Sequence, residues 1–332
     1  MKYKKIVQTD IKSSYAEMQE HILSSYSVFD KRLVSVGDKL KFNLYINDYV
    51  THMSLFLQSN TVIDKVNKNN LMEVERLYVN KKQKSEYDCF IEKKLQDTLE
   101  NKLLPLEDKI DIIYTSTAEL TNSLYENPEA LENVQRSKNI VEPILQSIIY
   151  DKKAIKSFMK IIEYDYYTHT HSLNVSIYSL CLGSELGLSQ TKLNALGRSA
   201  LLHDLGKSSI DHNIVNKTGI LNHFEFDMMK KHPYLGYKIA MKLGITDKNI
   251  LDGIRHHHEK LDGLGYPDGL KGEEITLFPR IIGVCDVFDA LTTRRSYKMA
   301  LSSYDAIYLM KTHMHKHLDM KIVNAFIKML HN

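Results

Sequence analysis

The stretch Leu201-Leu202-His203-Asp204-Leu205-Gly206-Lys207 closes an apolar helical run with an imidazole beside a carboxylate, then a glycine and a lysine. A histidine and an aspartate adjacent at a helix end can aim a nitrogen and an oxygen donor into one cleft. Gly206 lets the backbone turn sharply there, and Lys207 sets a cation beside the pair. Taken alone, such a pair reads as a cap. The other histidines change its meaning: His171 lies upstream, His232 downstream, then His256-His257-His258, with Asp286 inside a further apolar helix. Imidazoles and carboxylates recurring through one helical region, with no cysteine among them, point to a metal centre of mixed nitrogen and oxygen ligands.

Energetics favour the same reading. A single histidine on an apolar helix is usually structural. Here His203, Asp204, His257, His258 and Asp286 all fall within or at the ends of otherwise apolar helices. Burying several ionisable groups without partners is expensive, and a shared metal cluster satisfies each donor by coordination. Mixed imidazole and carboxylate ligation suits iron or manganese, with zinc also compatible.

The elements that must carry these groups can be read from the apolar spacing. From Asp151 onward nearly everything reads as helix. One helix is predicted from about Thr168 through Leu186, with Leu173, Ile177 and Leu180 on its buried side and Gly187 ending it. Ser189 is placed to cap the next, which leads to His203 and Asp204. Asn222 and Glu225 have capping-box spacing, and the helix they start runs to His232, where Pro233 opens another. A further helix delivers His257 and His258 at its C-terminal end. The loop Asp262-Gly263-Leu264-Gly265-Tyr266-Pro267-Asp268-Gly269 is too glycine-rich to be helical. After Pro279, Arg280 to Leu291 reads as an apolar helix with Asp286 and Asp289 one turn apart. Two more helices complete the chain; their histidines, His313, His315 and His317, lie in a basic segment and read as solvated.

Residues 1–85 differ. Leu40 to Ile46 alternates as a half-buried strand should, His52 to Leu57 and Arg76 to Val79 read as further strands, and Thr61 to Glu75 as a short helix between them. Amphipathic segments come next, at Ser85 to Leu104, Glu107 to Tyr125 and Leu131 to Tyr150. Asn127-Pro128 marks a turn, and Pro143 should kink the last segment or mark its true start. These helices form a connector that relays a signal or makes a homodimer, or else a spacer packed on the next domain.

Composition sets the outer bounds. The 332 residues suffice for two domains, and 43% apolar residues support a substantial core. A net charge of +3 is too small for a protein that coats DNA or RNA. No apolar run reaches membrane-spanning length, and no signal-peptide core succeeds the basic N-terminus. Of the three cysteines, Cys181 and Cys285 fall in apolar helical patterns, as buried free thiols would. A cytoplasmic location is expected.

The residues that carry the chemistry also carry a resemblance. His203-Asp204-Leu205-Gly206-Lys207, with His257-His258-Glu259-Lys260-Leu261-Asp262-Gly263-Leu264-Gly265-Tyr266-Pro267 and Asp286-Val287-Phe288-Asp289-Ala290-Leu291-Thr292, resembles the HD-GYP family of cyclic-dinucleotide phosphodiesterases over roughly residues 150 to 330. The resemblance implies a mainly α protein: residues 149–332 as an all-helical HD-GYP metal-dependent phosphohydrolase domain, preceded by a helical connector (86–148) and a small α+β regulatory module (1–85). The N-terminal part is loosely similar to a module that precedes the catalytic domain in some members.

By resemblance, His171, His203, Asp204 and Asp286 would hold one metal, and Asp204 would bridge to a second held by His232, His257 and His258. His256 falls outside this set. Lys207 would lie beside the scissile phosphate, Arg295 and Lys298 would contact phosphate, and Tyr266, in the Gly265-Tyr266-Pro267 triplet, would contact a guanine base. Some members bind a third ion through a glutamate four residues before the first ligand histidine. Tyr167 stands there, which implies two metals. Glu259 and Asp262 are read as fixing the loop.

The implied reaction is metal-dependent hydrolysis of cyclic di-GMP to the linear dinucleotide pGpG, with further cleavage to GMP open. Two cations can lower the pKa of a bridging water and stabilise developing charge. Lys207, Arg295 and Lys298 would add charge-assisted hydrogen bonds to phosphate oxygens. Two alternatives compete: another cyclic dinucleotide such as cyclic GMP-AMP as substrate, or a non-catalytic dinucleotide sensor or scaffold.

Overall fold

The computed structural model describes residues 22–49, 52–164, 170–293 and 300–331. The chain divides into two units, Met1–Glu100 and Asn101–Asn332. The first unit is built on strands β1 (Tyr26–Phe29), β2 (Leu44–Tyr49), β3 (His52–Leu57) and β4 (Leu77–Asn80) and helices α1 (Lys65–Glu73) and α2 (Lys84–Glu100). The strands form an antiparallel sheet in the order β1-β4-β2-β3, with Val28 opposite Tyr78 and Tyr78 opposite Tyr45. Strand β1 is not anticipated from the sequence, because four residues are too few to establish alternation. Tyr87 and Phe90 of α2 pack with Phe29 and Phe42 at ring separations of 5.3–6.3 Å. This aromatic cluster holds α2 within the first unit.

The second unit is helical. Helices α3 (Leu106–Glu126), α4 (Asn133–Tyr150) and α5 (Lys153–Tyr164) precede the histidine-bearing region. Helix α4 runs through Pro143, which is buried inside it, so the proline marks neither a start nor a break. The Ser147 hydroxyl donates to the Pro143 carbonyl one turn back. The turn at Asn127 is held by the Ala130 amide and the Asn133 side chain, both donating to the Asn127 carbonyl.

Helix α6 (His171–Glu185) is the centre of the unit. The sequence predicts one buried side, yet every residue from Ser172 to Gly183 is buried. A helix enclosed on all sides is expected to be apolar all round, and two of its polar side chains meet partners inside: Ser176 donates to the Gly197 carbonyl, and Asn174 accepts from Tyr114 of α3. Around it pack α3, α4, α7 (Gln190–Leu202), α12 (Leu277–Thr292) and α14 (Met320–His331). Ser189 occupies the N-cap position of α7 without a side-chain capping bond.

Between α7 and α12 lie the short helices α8 (His212–Val215) and α9 (His223–Met229), then α10 (His232–Lys242) and α11 (Lys248–His256). The capping box of α9 forms as its spacing predicts, with Asn222 and Glu225 bonding each other's backbone amides. Helix α12 begins at Leu277 rather than after Pro279. A proline in the first turn removes a donor that would be unpaired in any case. Helix α13 (Ser303–His313) precedes α14. Cys181 and Cys285 are buried free thiols. Among the described residues, no helix is long and apolar enough to cross a membrane.

Candidate metal centre

His203 caps the end of α7, and the chain continues as a 3-10 turn, Leu205–Ser209, that packs on the start of α10. Gly206 makes this contact possible. A Cβ there would lie 2.0 Å from the His232 carbonyl oxygen and 2.4 Å from the Gly236 nitrogen. Backbone against backbone therefore brings the His203-Asp204 turn next to His232. Helix α11 supplies His257 at its C-cap, with His258 directly after it, while α6 contributes His171 at its N-terminus and α12 contributes Asp286.

The structure brings all seven sequence-proposed ligands together. His171, His203 and Asp286 form one group, His232, His257 and His258 another, and His203, Asp204 and His257 join them, the donor atoms of each group lying within 4.8 Å of one another. Asp204 faces both sides: Oδ1 is 3.3 Å from His232 Nε2, and Oδ2 is 3.4 Å from His203 Nε2 and 3.7 Å from His171 Nε2. Asp286 Oδ1 is 3.1 Å from His171 Nε2, and its Oδ2 is 3.8 Å from His258 Nδ1.

The outer nitrogens of three histidines explain why the inner ones are reactive. The Nδ1–H groups of His203, His232 and His257 donate to the carbonyls of Ala200, Met229 and Ile254, each three residues back, at 2.7–2.8 Å. A neutral imidazole has one proton, so each Nε2 is left with a bare lone pair. His232 Nε2 and His257 Nε2 then oppose each other at 3.2 Å, while His203 Nε2 and Asp204 Oδ1 are buried without a hydrogen-bond partner. Lone pairs converging without protons are a poor arrangement for a closed core and a good one for cations. The donor set thus fits divalent metal.

For His257 and His258 the titration behaviour agrees. Burial and the neighbouring imidazoles push His257 well below the ordinary histidine range, and burial brings His258 down to about 3. Both rings stay neutral, as ligands must. Burial opposes ionisation of Asp204 and Asp286, yet the surrounding histidines, and Lys207 beside Asp204, hold both carboxyls well below their usual range. Burial alone would lower the His171 pKa, but hydrogen bonds to Asp286 and Asp289 raise it to about 10.

Asp289 belongs to the cluster, and sequence reasoning gave it no part there. Fully buried, it accepts from His171 Nδ1 at 2.6 Å and aims Nε2 at Asp204 and Asp286. Its one-turn spacing from Asp286 was the available signal, but its partner lies 118 residues away.

At the rim, Lys207 Nζ meets Asp204 Oδ2 at 2.5 Å and remains partly exposed. The Tyr266 ring rests on His258 at 4.8 Å and meets Phe226 of α9 at 6.4 Å. Gly265 lets this loop close on its own root, since a Cβ there would lie 2.4 Å from Glu259 Cα. Glu259 accepts from the amides of Asp268, Gly269 and Leu270. Asp262 accepts from the Leu264 amide and lies 3.3 Å from His317 Nε2, so His317 ties down the loop rather than being merely solvated. His256 points away from the cluster and bonds Asp252 and Asp268, and Arg255 grips Asp268 through two nitrogens. Arg295, Lys298 and Tyr167 lie outside the described residues.

Known proteins resemble this chain. The HD domain family matches residues 123–322. The chain is 34% identical over 200 residues to a cyclic di-GMP phosphodiesterase of Pseudomonas aeruginosa, covering 60% of this chain and 48% of that protein. It is also 34% identical over 224 residues to the 3'3'-cGAMP-specific phosphodiesterase 3 of Vibrio cholerae, covering 64% and 48%. The chain spans about half the length of these curated relatives. In fold it is similar to a solved HDG"Y"P protein of Bdellovibrio bacteriovorus, with a TM-score of 0.68 at 20% identity, over 92% of this chain and 100% of that one.

Proposed function

The chain belongs to the HD domain family, in its HD-GYP branch, and from that premise we propose that it hydrolyses cyclic di-GMP to the linear dinucleotide pGpG. The observation that carries this reading is the convergence of seven histidine and aspartate side chains, among them His203, His232 and His257, whose outer nitrogens donate to backbone carbonyls and leave Nε2 turned inward. Two divalent ions, iron or manganese by ligand type, would be held there: one by His171, His203, Asp204 and Asp286, the other by Asp204, His232, His257 and His258. When bound, such ions acidify water and neutralise charge developing on a phosphodiester.

The chain's own groups supply the rest. The carbonyls behind His203, His232 and His257, and Asp289 behind His171, fix each ring's rotation and its proton. Lys207 would extend a charge-assisted hydrogen bond to a non-bridging phosphate oxygen. Tyr266 would stack on a guanine base, with its loop stiffened by Glu259. Tyr167, standing where a third-ion glutamate would, puts the metal count at two. With one cation fewer to grip a second phosphate, pGpG is the expected end product.

A second reading, cyclic GMP-AMP as preferred substrate, is favoured by the identity to the Vibrio cholerae enzyme. Purified full chain, iron-loaded and kept anaerobic, should be incubated with cyclic di-GMP, 3'3'-cGAMP and cyclic di-AMP and the products separated. Fastest turnover of cyclic di-GMP to pGpG supports the proposal. Faster turnover of 3'3'-cGAMP selects the second reading, and binding without turnover of any of them would make the chain a sensor.

A further inference from the structure

Tyr125 stands in the last turn of α3, outside the ligand set, yet its hydroxyl reaches two segments that carry ligands. Its oxygen is 2.8 Å from the Leu201 carbonyl and 2.9 Å from Ser172 Oγ. A carbonyl only accepts, so Tyr125 gives its single proton to Leu201, and Ser172 donates to the tyrosine oxygen. Ser172 is the residue directly after His171. Leu201 lies in the final turn of α7, where helix carbonyls lose their internal partners, two residues before His203.

We infer that Tyr125 is a positioning residue of the metal centre: one hydroxyl joins the start of α6 to the turn bearing His203 and Asp204, and so sets the spacing between ligands from different segments. Metal sites tolerate displacements of only about 0.5 Å, and a single hydroxyl bonded to both segments resists their drifting apart. Helix α3 offers an internal comparison. Tyr114, on the same helix, also bonds α6, through Asn174 Oδ1 at 2.9 Å, but its bond falls on a side chain one turn past His171. If Tyr125 merely held helices together, the two tyrosines would be equivalent.

The inference rests on the metal-centre reading, and its test measures metal uptake without any nucleotide. Mn²⁺ affinity, by competition with a chelator, and the melting temperature of metal-free protein should be measured for the full chain and for Tyr125→Phe, Tyr114→Phe and Ser172→Ala. Tyr125→Phe should weaken Mn²⁺ binding about 10- to 100-fold, the usual effect of losing a group that orients ligands. Its metal-free melting temperature should fall no further than that of Tyr114→Phe, which should bind Mn²⁺ like the wild type. Ser172→Ala should show a smaller loss, and adding it to Tyr125→Phe should cost nothing more.

Wild-type Mn²⁺ affinity in Tyr125→Phe, or an equal loss in Tyr114→Phe, would overturn the assignment. Should Tyr125→Phe fail to fold, wild-type affinity in Ser172→Ala overturns it instead. A wild-type chain that takes up no divalent ion would sink the metal-centre reading and this assignment with it, an outcome distinct from any effect of Tyr125.

Discussion

His232 Nε2 and His257 Nε2 face each other at 3.2 Å while the Nδ1–H of each ring donates to a backbone carbonyl behind it. A hydrogen bond across that gap needs one ring to give up its outer contact or to take a second proton, whereas a cation accepts both lone pairs. Stripping metal with a chelator should therefore lower the melting temperature, and Mn²⁺ or Fe²⁺ should restore it. Ligand at about 1,000 times its dissociation constant stabilises by about 4 kcal/mol. Calorimetry showing the same transition with and without metal would contradict this.

Asp204→Ala should remove hydrolysis and reduce bound metal, because the two carboxylate oxygens look toward different histidines. Metal content by elemental analysis and turnover by product chromatography give the answer. Full activity at unchanged metal content rejects the assigned role.

Lys207→Ala should keep its metal and turn over more slowly, by roughly the 10²–10³ typical of losing one charge-stabilising donor. The lysine touches Asp204, a proposed ligand, so the discriminating measurement is metal content. If that falls with the rate, Lys207 is holding Asp204 in place rather than acting on phosphate.

For Tyr266→Ala the expected effect is on nucleotide affinity. A stacked base is worth about 1–3 kcal/mol, which is roughly a 5- to 150-fold rise in the dissociation constant. Metal loading should be unchanged, because the ring rests on His258 without supplying a ligand atom. Titration with a slowly hydrolysed cyclic dinucleotide tests this, and unchanged affinity would reduce Tyr266 to a loop anchor.

The clamp on Asp268 gives a pH prediction. Arg255 and His256 hold its carboxyl at about 2, against an ordinary value of about 3.9. A carboxyl depressed in the folded state adds stability above its unfolded pKa, and that stability fades as pH falls through the folded one. Asp268→Asn should accordingly lower the melting temperature of metal-free protein at about pH 5–7. The gap to wild type should narrow between about pH 4 and pH 2. A gap independent of pH over that range would mean the clamp works through shape alone.

Much of the site is legible because its ligands announce themselves by type: histidines and aspartates set into apolar helices, in the order a known family uses. The hidden part acts through distant pairing. Asp289 gains its meaning only when α12 lies beside the start of α6, and Tyr125 only when α3 ends against α7. The all-round burial of α6 is hidden for a related reason. Its polar residues suggest an outer face, and the partners of Ser176 and Asn174 are supplied by other helices. Strand β1 and the early start of α12 escape for local reasons, one for brevity and the other because a proline reads as a barrier when it can equally be a first-turn residue.

The closure of the Tyr266 loop on its own root bears on how such enzymes diversify. Gly265 sits against the backbone of Glu259 and Lys260, one and two residues past His258, and Glu259 in turn collects the three amides just after Pro267. The segment that would read a base and the segment that would hold a metal are thus one continuous piece of chain, knotted by a single carboxylate. Substrate preference here cannot be exchanged as a free module. A graft that swaps Tyr266 and its neighbours must carry Glu259 and Gly265 along, or it will disturb His257 and His258 while altering what they act upon.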